Sequence, residues 1–461
     1  MPGRVLVVAY NFPPVGGVGV QRTLKYVTYL PQSGWEPVVL TARDPGKYPR
    51  DEEAERSLPP DLVVERALSP EPVKLRRALG RAARRLRGDS GAGTGAPGGD
   101  RPGPSRPKVA AGSKSLWTGR LLGLWGAATR LTFFPDEEVS WVPFAIGRGM
   151  EIQRRAPVDA IYSSSGPVSC HLVAAVIARR TGLPWIADFR DPWIGNAFAA
   201  PLPAAHAQLQ RQIERRIVHL ADRSIFATSG LLDAYAARYP EVAGRFLAIP
   251  NGYDRRDLPA LEAAPAPRPD GRFRLVYGGS VYGEQELEIF LTGLERLVAR
   301  RPEIRDQLEV EFIGWLNLRN QAIAAGYSEP DRLGPMIRLT GFLPHREAVA
   351  RFLAADALLQ LIADGPNKGQ IQGGKLMEYV GLDRQILAVV PEGQAREILR
   401  ELNWGIAVDP TPEAVADGVE RLLATPLPQG RADPQGRYNR VNLTRRMAEQ
   451  LDAVVEGRKA G

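Results

Sequence analysis

Residues 4–42 read RVLVVAYNFPPVGGVGVQRTLKYVTYLPQSGWEPVVLTA. An apolar run of strand length, RVLVVAY at residues 4–10, is followed by a glycine-rich loop, by a segment with helical spacing over residues 20–34, and by a second apolar run, EPVVLTA. Strands that are buried on both faces read as continuous apolar runs, and their alternation with helices is typical of a βαβ unit. The stretch predicts an α/β protein with a parallel sheet covered on both faces.

The alternation resumes at VDAIYSSSG (residues 158–166) and continues to IPNGYD (residues 249–254). Six or seven βα repeats predict one Rossmann-like domain over residues 1–257. The proline- and alanine-rich residues 258–272 then predict a linker between two domains.

Strand and helix patterns begin again at FRLVYGG (residues 273–279) and predict a second Rossmann-like domain over residues 273–430. Within residues 431–461, a helix is predicted over residues 438–455, and no strand follows it. Two such domains with a helix returning from the second to the first predict a two-lobed protein with a cleft between the lobes.

The composition of the 461 residues excludes several classes of protein. With 44% hydrophobic and 24% charged residues, the chain is neither wholly disordered nor collagen-like nor a multi-span membrane protein. A single cysteine, Cys170, and four histidines argue against disulfides, structural zinc and a histidine-rich metal centre. The apolar run at residues 5–10 is too short for a signal peptide, so we expect a cytoplasmic protein without a metal.

The positive charge is concentrated in one insert at about residues 70–126. The net charge is +8, but residues 70–120 alone hold twelve Lys or Arg against three Asp or Glu. Residues 72–88 project as a basic amphipathic helix, and residues 88–113 are rich in glycine and proline, which predicts disorder. We expect this insert to bind an anionic membrane surface rather than nucleic acid; the alternative is a solvated charged face on a packed helix.

In an open parallel sheet, ligands bind beyond the carboxyl ends of the strands. After the first strand, Gly17 and Gly19 predict either a phosphate site at a helix N-terminus or a tight turn. A dinucleotide fingerprint would need a third glycine at position 22, where the chain has Arg22. Ser164 and His171 follow a later strand and predict contacts with acceptor sugar hydroxyls, although serines also cap helices.

The stretch ADFRDPW places Asp188, Arg190 and Asp191 at the end of another strand. Buried carboxylates are costly unless they are paired, so the cluster is either a structural ion pair or a polar site that faces the cleft. We favour the cleft, with Asp188 and Asp191 as the catalytic candidates and Arg190 on the acceptor side.

In the second half, GPNKGQIQGG (residues 365–374) is followed by Lys375 and, one helical turn later, by Glu378. A glycine-rich loop with lysines that enters a helix suits a diphosphate, and a glutamate can accept hydrogen bonds from a ribose diol. Lys368, Lys375 and Glu378 are therefore the predicted donor-binding residues.

With these motifs in view, the chain resembles GT-B glycosyltransferases of the family 4-like group. The resemblance rests on YNFPPVGGVGVQR, YSSSGPVSCH, DFRDPW, IPNGYD and KLMEYVGLDRQILAVV and runs over nearly the whole chain. It implies that Glu378 holds the ribose of a nucleotide sugar, that Lys375 lies near the diphosphate and that the backbone of Leu343 meets the base. It also implies that Gly17 and Gly19 lie near the donor phosphates or sugar.

The chain departs from the family pattern at two places. Gln370 stands eight residues before Glu378, where many relatives have a second glutamate that binds the donor sugar. Because an amide can also hydrogen-bond hydroxyl groups, the resemblance makes Gln370 a candidate for binding the donor. The basic pair that often follows the first strand of the second domain is missing, because residues 278–284 contain no Lys or Arg. Charge on the leaving diphosphate is then expected to be balanced by Lys368, Lys375, Arg22 or backbone N–H groups.

The resemblance implies transfer of a sugar from a nucleotide-diphosphate sugar to an acceptor hydroxyl with retention of configuration and without a cofactor or metal. The expected acceptor is a lipid-linked sugar or a growing surface polysaccharide, and the expected location is the inner face of the cell membrane. The alternatives are a nucleotide-sugar epimerase of the same fold and a non-catalytic GT-B-like binding protein.

Overall fold

The computed structural model describes residues 2–43, 50–70, 134–195, 203–258, 271–281, 284–365, 367–425 and 427–460. All but the first residue of the expected basic insert, and most of the expected linker, lie outside these ranges.

The N-terminal lobe is built on a seven-stranded sheet. Its strands are β1 (Gly3–Val8), β2 (Trp35–Ala42), β3 (Val63–Ala67), β4 (Ala160–Ser164), β5 (Trp185–Phe189), β6 (Arg223–Phe226) and β7 (Phe246–Ala248). They lie in the order β3-β2-β1-β4-β5-β6-β7, and all neighbours are parallel. The order reverses between β1 and β4, which is the point where open sheets of this kind bind ligands.

Helices connect these strands as parallel pairing requires. They are α1 (Val18–Tyr29), α2 (Glu52–Arg56), α3 (Val142–Arg155), α4 (Ser169–Thr181), α5 (Ala204–Leu220) and α6 (Ser229–Arg238), with 3₁₀ turns at Leu30–Ser33, Glu137–Trp141, Pro240–Arg245 and Arg255–Asp257. The segment with helical spacing after the first strand ends as an α-helix at Tyr29, because Pro31 has no N–H to continue the hydrogen-bond ladder.

The C-terminal lobe has the same architecture, with a sheet of six strands. They are β8 (Phe273–Gly278), β9 (Leu308–Ile313), β10 (Ile337–Gly341), β11 (Ala357–Leu361), β12 (Gln385–Val389) and β13 (Ile406–Val408). The order is β10-β9-β8-β11-β12-β13, again all parallel. Two parallel-sheet α/β domains confirm the predicted fold class.

The helices of this lobe are α7 (Glu284–Arg300), α8 (Ile304–Gln307), α9 (Leu318–Tyr327), α10 (His345–Leu353), α11 (Leu376–Gly381), α12 (Gln394–Leu402), α13 (Pro412–Ala424) and α14 (Arg440–Ala460), with 3₁₀ turns at Gly334–Met336 and Lys368–Gln370. The continuous apolar strands bury both faces of each sheet, so each lobe has two apolar clusters, one on either side of its sheet.

The chain crosses between the lobes twice, and the two crossings lie side by side. The Tyr253 N–H donates to the carbonyl of Tyr438 (3.0 Å), and the Arg440 N–H donates to the carbonyl of Tyr253 (2.8 Å). Only glycine fits at position 252, because a Cβ there would lie 2.0 Å from the Tyr438 carbonyl oxygen. The crossings hold the lobes next to each other.

Helix α14 returns to the N-terminal lobe, where Leu443, Met447 and Leu451 are buried against the first sheet. It begins at Arg440 and ends at Ala460, so it runs beyond the end predicted at residue 455. The apolar pattern of the sequence did not predict β3. This strand lies at the sheet edge, and its polar residues Glu65 and Arg66 interrupt the apolar pattern.

Candidate functional site

A cavity of about 200 Å³ lies between the carboxyl edges of the two sheets. Its wall is formed from the N-terminal lobe by Arg190, Asp191, Pro192, Ala227, Thr228, Leu231 and Asn251, and from the C-terminal lobe by Asn367, Gln370, Ile371, Gln372, Gly373 and Gly374. Seven of the thirteen lining residues carry an amide, hydroxyl or charged side chain. Such groups can form hydrogen bonds with the hydroxyl groups of a small polar molecule.

Arg190 joins the glycine-rich loop to the cavity. Its Nη1 donates to the carbonyl oxygen of Gly19. A Cβ at position 19 would lie 2.9 Å from Arg190 Nη2, and one at Gly166 would lie 3.4 Å from the same atom. The guanidinium group of Arg190 therefore packs directly on Gly19. Gly17 has φ 112°, with open space where a side chain would be, which fits the predicted tight turn.

Asp188 does not face the cavity. It is 0% exposed, and its two carboxylate oxygens accept hydrogen bonds from Arg22 Nη2 and Nε, each at 2.8 Å. Tyr162 Oη (2.5 Å) and Ser164 Oγ (3.1 Å) also donate to it. The prediction of Asp188 as a catalytic group facing the cleft is wrong, and the structural ion pair is the correct alternative.

The same contacts remove two other candidates from the site. Ser164 is buried against Asp188, so the prediction that it binds an acceptor hydroxyl is wrong. Arg22 is also buried; its Nη1 donates to the carbonyl of Pro250 (3.1 Å), and it cannot neutralise a diphosphate in the cleft.

The ion pair keeps both groups charged inside the lobe. Burial alone would raise the pKa of Asp188, but the positive charge of Arg22 and the hydrogen bonds from Arg22 and Tyr162 lower it below the ordinary value. Burial acts to lower the pKa of Arg22, and the charge of Asp188 raises it above its ordinary value.

His171 is likewise enclosed in the core, so its predicted contact with the acceptor is wrong. Its Nδ1 is hydrogen-bonded to Ser163 Oγ (2.8 Å), and its ring centroid lies 4.6 Å from that of Phe189. Burial lowers the pKa of His171 to about 4, with the charge of Asp188 acting in the opposite direction. The imidazole is therefore neutral at pH 7 and packs as a core side chain.

In the C-terminal lobe, Lys375 and Glu378 stay within reach of solvent. Lys375 Nζ lies 2.5 Å from Glu378 Oε2, and the two side chains are 30% and 15% exposed. The other oxygen, Oε1, is buried without a hydrogen-bond partner in the described part of the chain, although His345 Nδ1 lies 3.9 Å away. A buried carboxylate oxygen with a vacant acceptor position is suited to a hydroxyl donor.

Lys375 also connects the pair to its surroundings. It follows Gly374 in the cavity wall, and its Cγ lies 3.8 Å from where a Cβ of Gly279 would be. The Lys375 and Glu378 pair therefore adjoins both the cavity and the loop after β8.

The remaining predicted donor residues take different positions. Gln370 lines the cavity, and its Cγ lies 3.4 Å from where a Cβ of Gly230 would be, in the opposite lobe. Lys368 Nζ lies 3.5 Å from Glu286 Oε1, so part of its charge is balanced inside the lobe. Leu343 is half-buried between β10 and α10 and packs on the apolar cluster that includes Phe352.

Four polar residues of the cavity wall were not named as site residues from the sequence: Thr228, Asn251, Asn367 and Gln372. Two of them form hydrogen bonds between the lobes: Gln372 Nε2 donates to the carbonyl of Asn251 (3.1 Å), and Asn367 Nδ2 to that of Gly195 (2.8 Å). All four follow strands, so the rule that ligands bind beyond the carboxyl ends of parallel strands applies to them as it does to Arg190 and Asp191. No sequence motif marked their side chains individually.

The described residues contain neither a metal-binding cluster nor a membrane-spanning helix. No three His, Cys, Asp or Glu side chains in this part of the chain gather closely enough to hold a metal ion. No helix within the same residues has both the length and the apolar character needed to cross a membrane.

No protein-family model and no curated protein sequence matches the chain. Among solved structures, sucrose-phosphate synthase from Thermosynechococcus elongatus is similar over 99% of this chain and 97% of its own, with 15% identity and a TM-score of 0.53. HepE of Anabaena in complex with UDP is similar over 99% and 98%, with 13% identity and a TM-score of 0.52. UDP-GlcNAc 2-epimerase from Methanocaldococcus jannaschii is similar over 98% and 99%, with 10% identity and a TM-score of 0.52. At these identities the likeness concerns the fold, and with two parallel sheets that share a cavity, the chain has the GT-B fold.

Proposed function

We propose that the protein is a glycosyltransferase that moves a sugar from a nucleotide-diphosphate sugar to an acceptor hydroxyl. The observation that carries the proposal is the Lys375 and Glu378 pair beside the cavity, with one buried carboxylate oxygen that lacks a hydrogen-bond partner among the described residues. A ribose hydroxyl would satisfy that oxygen, and the ammonium group is suited to a diphosphate. Sucrose-phosphate synthase and HepE in complex with UDP, which share the fold, support this choice.

In this proposal the sugar to be transferred lies in the cavity. Gln370 and Gln372 line it from the donor lobe, and Asn251 and Thr228 from the other lobe. An amide at position 370 can both donate to and accept from sugar hydroxyls, so glutamine can replace a carboxylate in holding the sugar. Arg190 and Asp191 close the cavity on the acceptor side.

The proposed chemistry depends on charge that develops on the leaving group. As the bond between the sugar and the phosphate lengthens, negative charge grows on the diphosphate. Lys375 and the backbone N–H groups of the Gly279 loop would stabilise this charge more than the ground state. Asp191 would orient the acceptor hydroxyl, and its proton would pass to an oxygen of the departing phosphate.

We propose that the configuration of the sugar is retained. Among the described residues that line the cavity, Asp191 is the only carboxylate. A covalent double displacement would need a carboxylate as nucleophile, and Asp191 is assigned here to the acceptor hydroxyl, so we propose transfer on one face of the sugar with the departing phosphate as base. The anomeric configuration of the product, read by NMR, tests this point. Activity that survives a chelator would support the proposed independence from metal ions.

Binding of nucleotide sugars followed by thermal or chemical denaturation tests the function. A UDP, GDP or ADP sugar at about a hundred times its dissociation constant should add roughly 2.7 kcal/mol of stability. Glu378→Ala should weaken this binding about 10- to 150-fold, because the hydrogen bonds to its charge are lost. Glu347→Ala, on the exposed surface of α10, is the matched control. No stabilisation by any of these sugars would contradict the proposal.

A nucleotide-sugar epimerase is the second candidate, because an enzyme of that kind shares the fold. An epimerase acts on the donor alone, whereas a transferase releases the nucleotide in proportion to an acceptor. Product analysis with and without an acceptor separates the two. If a sugar were converted to its epimer without an acceptor, the transferase would be excluded.

The acceptor and the location are proposed from the sequence. The basic segment at about residues 70–126 suits an anionic lipid surface, and we propose a lipid-linked sugar or a surface polysaccharide as the acceptor, reached at the inner face of the cell membrane. Flotation with anionic vesicles, before and after deletion of residues 70–126, tests this proposal. Equal flotation of both proteins would contradict it.

A further inference from the structure

The amide group of Asn251, in the cavity wall, has a fixed orientation. Arg22 Nη1 lies 3.5 Å from Asn251 Oδ1, and Asp188 holds the same guanidinium group through two hydrogen bonds of 2.8 Å. A guanidinium group carries N–H donors and no acceptor, so the oxygen of the Asn251 amide, and not its nitrogen, faces Arg22. The other end of the amide, Nδ2, forms no hydrogen bond within the described part of the chain. Asn251 therefore has a hydrogen-bond donor for a ligand in the cavity.

The amide group of Gln372, in the wall formed by the other lobe, is oriented in the reverse sense. Its Nε2 donates to the main-chain carbonyl of Asn251 (3.1 Å), and a carbonyl oxygen can only accept. The nitrogen is committed to this bond, which leaves the oxygen. Gln372 is 6% exposed, and its Oε1 is buried without a hydrogen-bond partner among the described residues. A buried acceptor without a donor costs free energy, which a ligand with a hydrogen-bond donor recovers.

The two amides thus have complementary groups. Asn251 supplies an N–H donor from the N-terminal lobe, Gln372 supplies an acceptor from the C-terminal lobe, and the bond between the two residues keeps them in contact. A hydroxyl group accepts and donates through a single oxygen atom, so it can satisfy both amides at once. A carbonyl group or a fluorine atom can only accept, and an ammonium group can only donate. The pair therefore favours a hydroxyl over other small polar groups.

We propose that Asn251 and Gln372 bind one hydroxyl group of the transferred sugar and select against sugars that lack it. The proposal rests on the function proposed above and adds a determinant of sugar specificity. In the complex, the hydroxyl accepts from Asn251 Nδ2 and donates to Gln372 Oε1. A sugar with hydrogen at this position leaves Oε1 buried and unpaired, and sites that hydrogen-bond a hydroxyl reject analogues without it for this reason.

A purely structural contact between the lobes explains only part of this arrangement. It accounts for the bond from Gln372 Nε2, but it leaves the buried Oε1 unpaired and gives no role to Asn251 Nδ2. Arg22 is already paired with Asp188, so its charge does not need the Asn251 amide. A water molecule is the alternative occupant, since water also donates and accepts. It would bind both amides whether or not the sugar carries the hydroxyl.

Calorimetric titration of the full chain with nucleotide sugars and their analogues tests the inference. The ligands are the UDP, GDP or ADP sugar that stabilises the protein most, its deoxy and deoxyfluoro analogues at each sugar hydroxyl, and the matching nucleoside diphosphate. At one position of the sugar, both analogues should bind about 5- to 150-fold more weakly than the parent, because neither can donate to Gln372 Oε1.

Two variants assign this loss of affinity to the pair. Gln372→Met keeps the length of the side chain without its amide, and Asn251→Ala keeps the main-chain carbonyl that Gln372 binds. In Gln372→Met, the deoxy analogue should bind within about 2-fold of the parent, and in Asn251→Ala the difference should be smaller than in the original protein. Affinity for the nucleoside diphosphate should not change. Parent and analogue are compared within one variant, so altered stability does not produce this result.

Gln321→Met is the matched control. Gln321 Nε2 also donates to a main-chain carbonyl, that of Leu316 (2.8 Å), but Gln321 does not line the cavity. Its preference for the parent sugar over the deoxy analogue should equal that of the original protein.

Two results would overturn the inference. If the original protein binds every deoxy analogue as tightly as the parent, water occupies the position instead. If Gln372→Met keeps the full preference for the parent, the hydroxyl lies elsewhere. In both cases, weaker nucleotide binding by Glu378→Ala would leave the proposed function in place. If the original protein binds no nucleotide sugar, both proposals fail.

Discussion

In the N-terminal lobe, the carboxylate at the end of β5, Asp188, is fully buried, and four side-chain hydrogen bonds saturate it. In the C-terminal lobe, the carboxylate of Glu378 keeps one oxygen without a partner among the described residues and lies beside a cavity. Both lobes have the same kind of parallel sheet, and both carboxylates lie near its carboxyl edge. Their different burial and partners separate a structural group from a group that can bind a ligand.

The difference also assigns separate tasks to the lobes. The Arg22 and Asp188 pair joins α1 to the middle of the first sheet, which holds Arg190 and the glycine-rich loop in place. In the second lobe, the side chains of Lys375 and Glu378 stay partly exposed. We expect substitutions in the first set to change the free energy of unfolding and substitutions in the second set to change ligand affinity.

The largest expected effect comes from Asp188→Ala. Removal of one member of a buried ion pair leaves Arg22 charged and unpaired in the core, which typically costs about 3–5 kcal/mol of stability. Asp191→Ala, three residues away on the exposed cavity wall, should change stability by less than about 0.5 kcal/mol. Urea denaturation of both variants measures the contrast. Equal losses of stability, or a larger loss for Asp191→Ala, would contradict the assignment of Asp188 as the structural carboxylate and Asp191 as the exposed one.

A smaller effect is expected from pH at His171. Its pKa falls from 6.5 to about 4 on burial, so between these values the unfolded chain binds a proton that the folded chain does not. Stability is therefore complete above about pH 6.5 and decreases as the pH falls toward 4, by roughly 3 kcal/mol from this group.

His171→Phe removes this titration and keeps a ring of similar size beside Phe189. Denaturation midpoints measured from pH 7 to pH 4 should then decrease less steeply than in the original protein. His206→Gln is the control, because the ring of His206 is only half-buried. An unchanged pH slope for His171→Phe would show that this histidine does not contribute to acid sensitivity.

The smallest effect concerns the contacts between the lobes. Ser229 Oγ lies 3.0 Å from Gln394 Oε1 and 2.9 Å from Glu397 Oε2, and its one hydrogen can be donated to either oxygen. Ser229→Ala should lower stability by about 1 kcal/mol, because Gln394 keeps its bond from the Ser229 N–H. Arg346→Ala serves as the control, since its pair with Glu53 spans 4.0 Å between two highly exposed side chains. Chemical denaturation should show no change in stability for Arg346→Ala. A larger loss for Arg346→Ala than for Ser229→Ala would contradict the assignment of Ser229 as the stabilising contact between the lobes.

The sequence predicted the two domains well because their strands are short continuous apolar runs, such as RVLVVAY and FRLVYGG. It missed β3, where Glu65 and Arg66 break the apolar run at a sheet edge. Arg190 and Asp191, predicted at the end of a strand, and Gln370, in the glycine-rich loop, all line the cavity. It misjudged Asp188, because the partner Arg22 lies 166 residues away in the chain.

The sequence by itself determined the alternation of strands and helices in both domains and the glycine-rich loop after the first strand, since these depend on local sterics and on the period of the apolar residues. The tertiary structure decided which polar groups at the strand ends stay available. Burial and pairing depend on residues that are distant in sequence and become neighbours only when the sheets and helices pack. For that reason Asp188 and His171 became core groups, while the side chains of Lys375 and Glu378 stayed partly exposed.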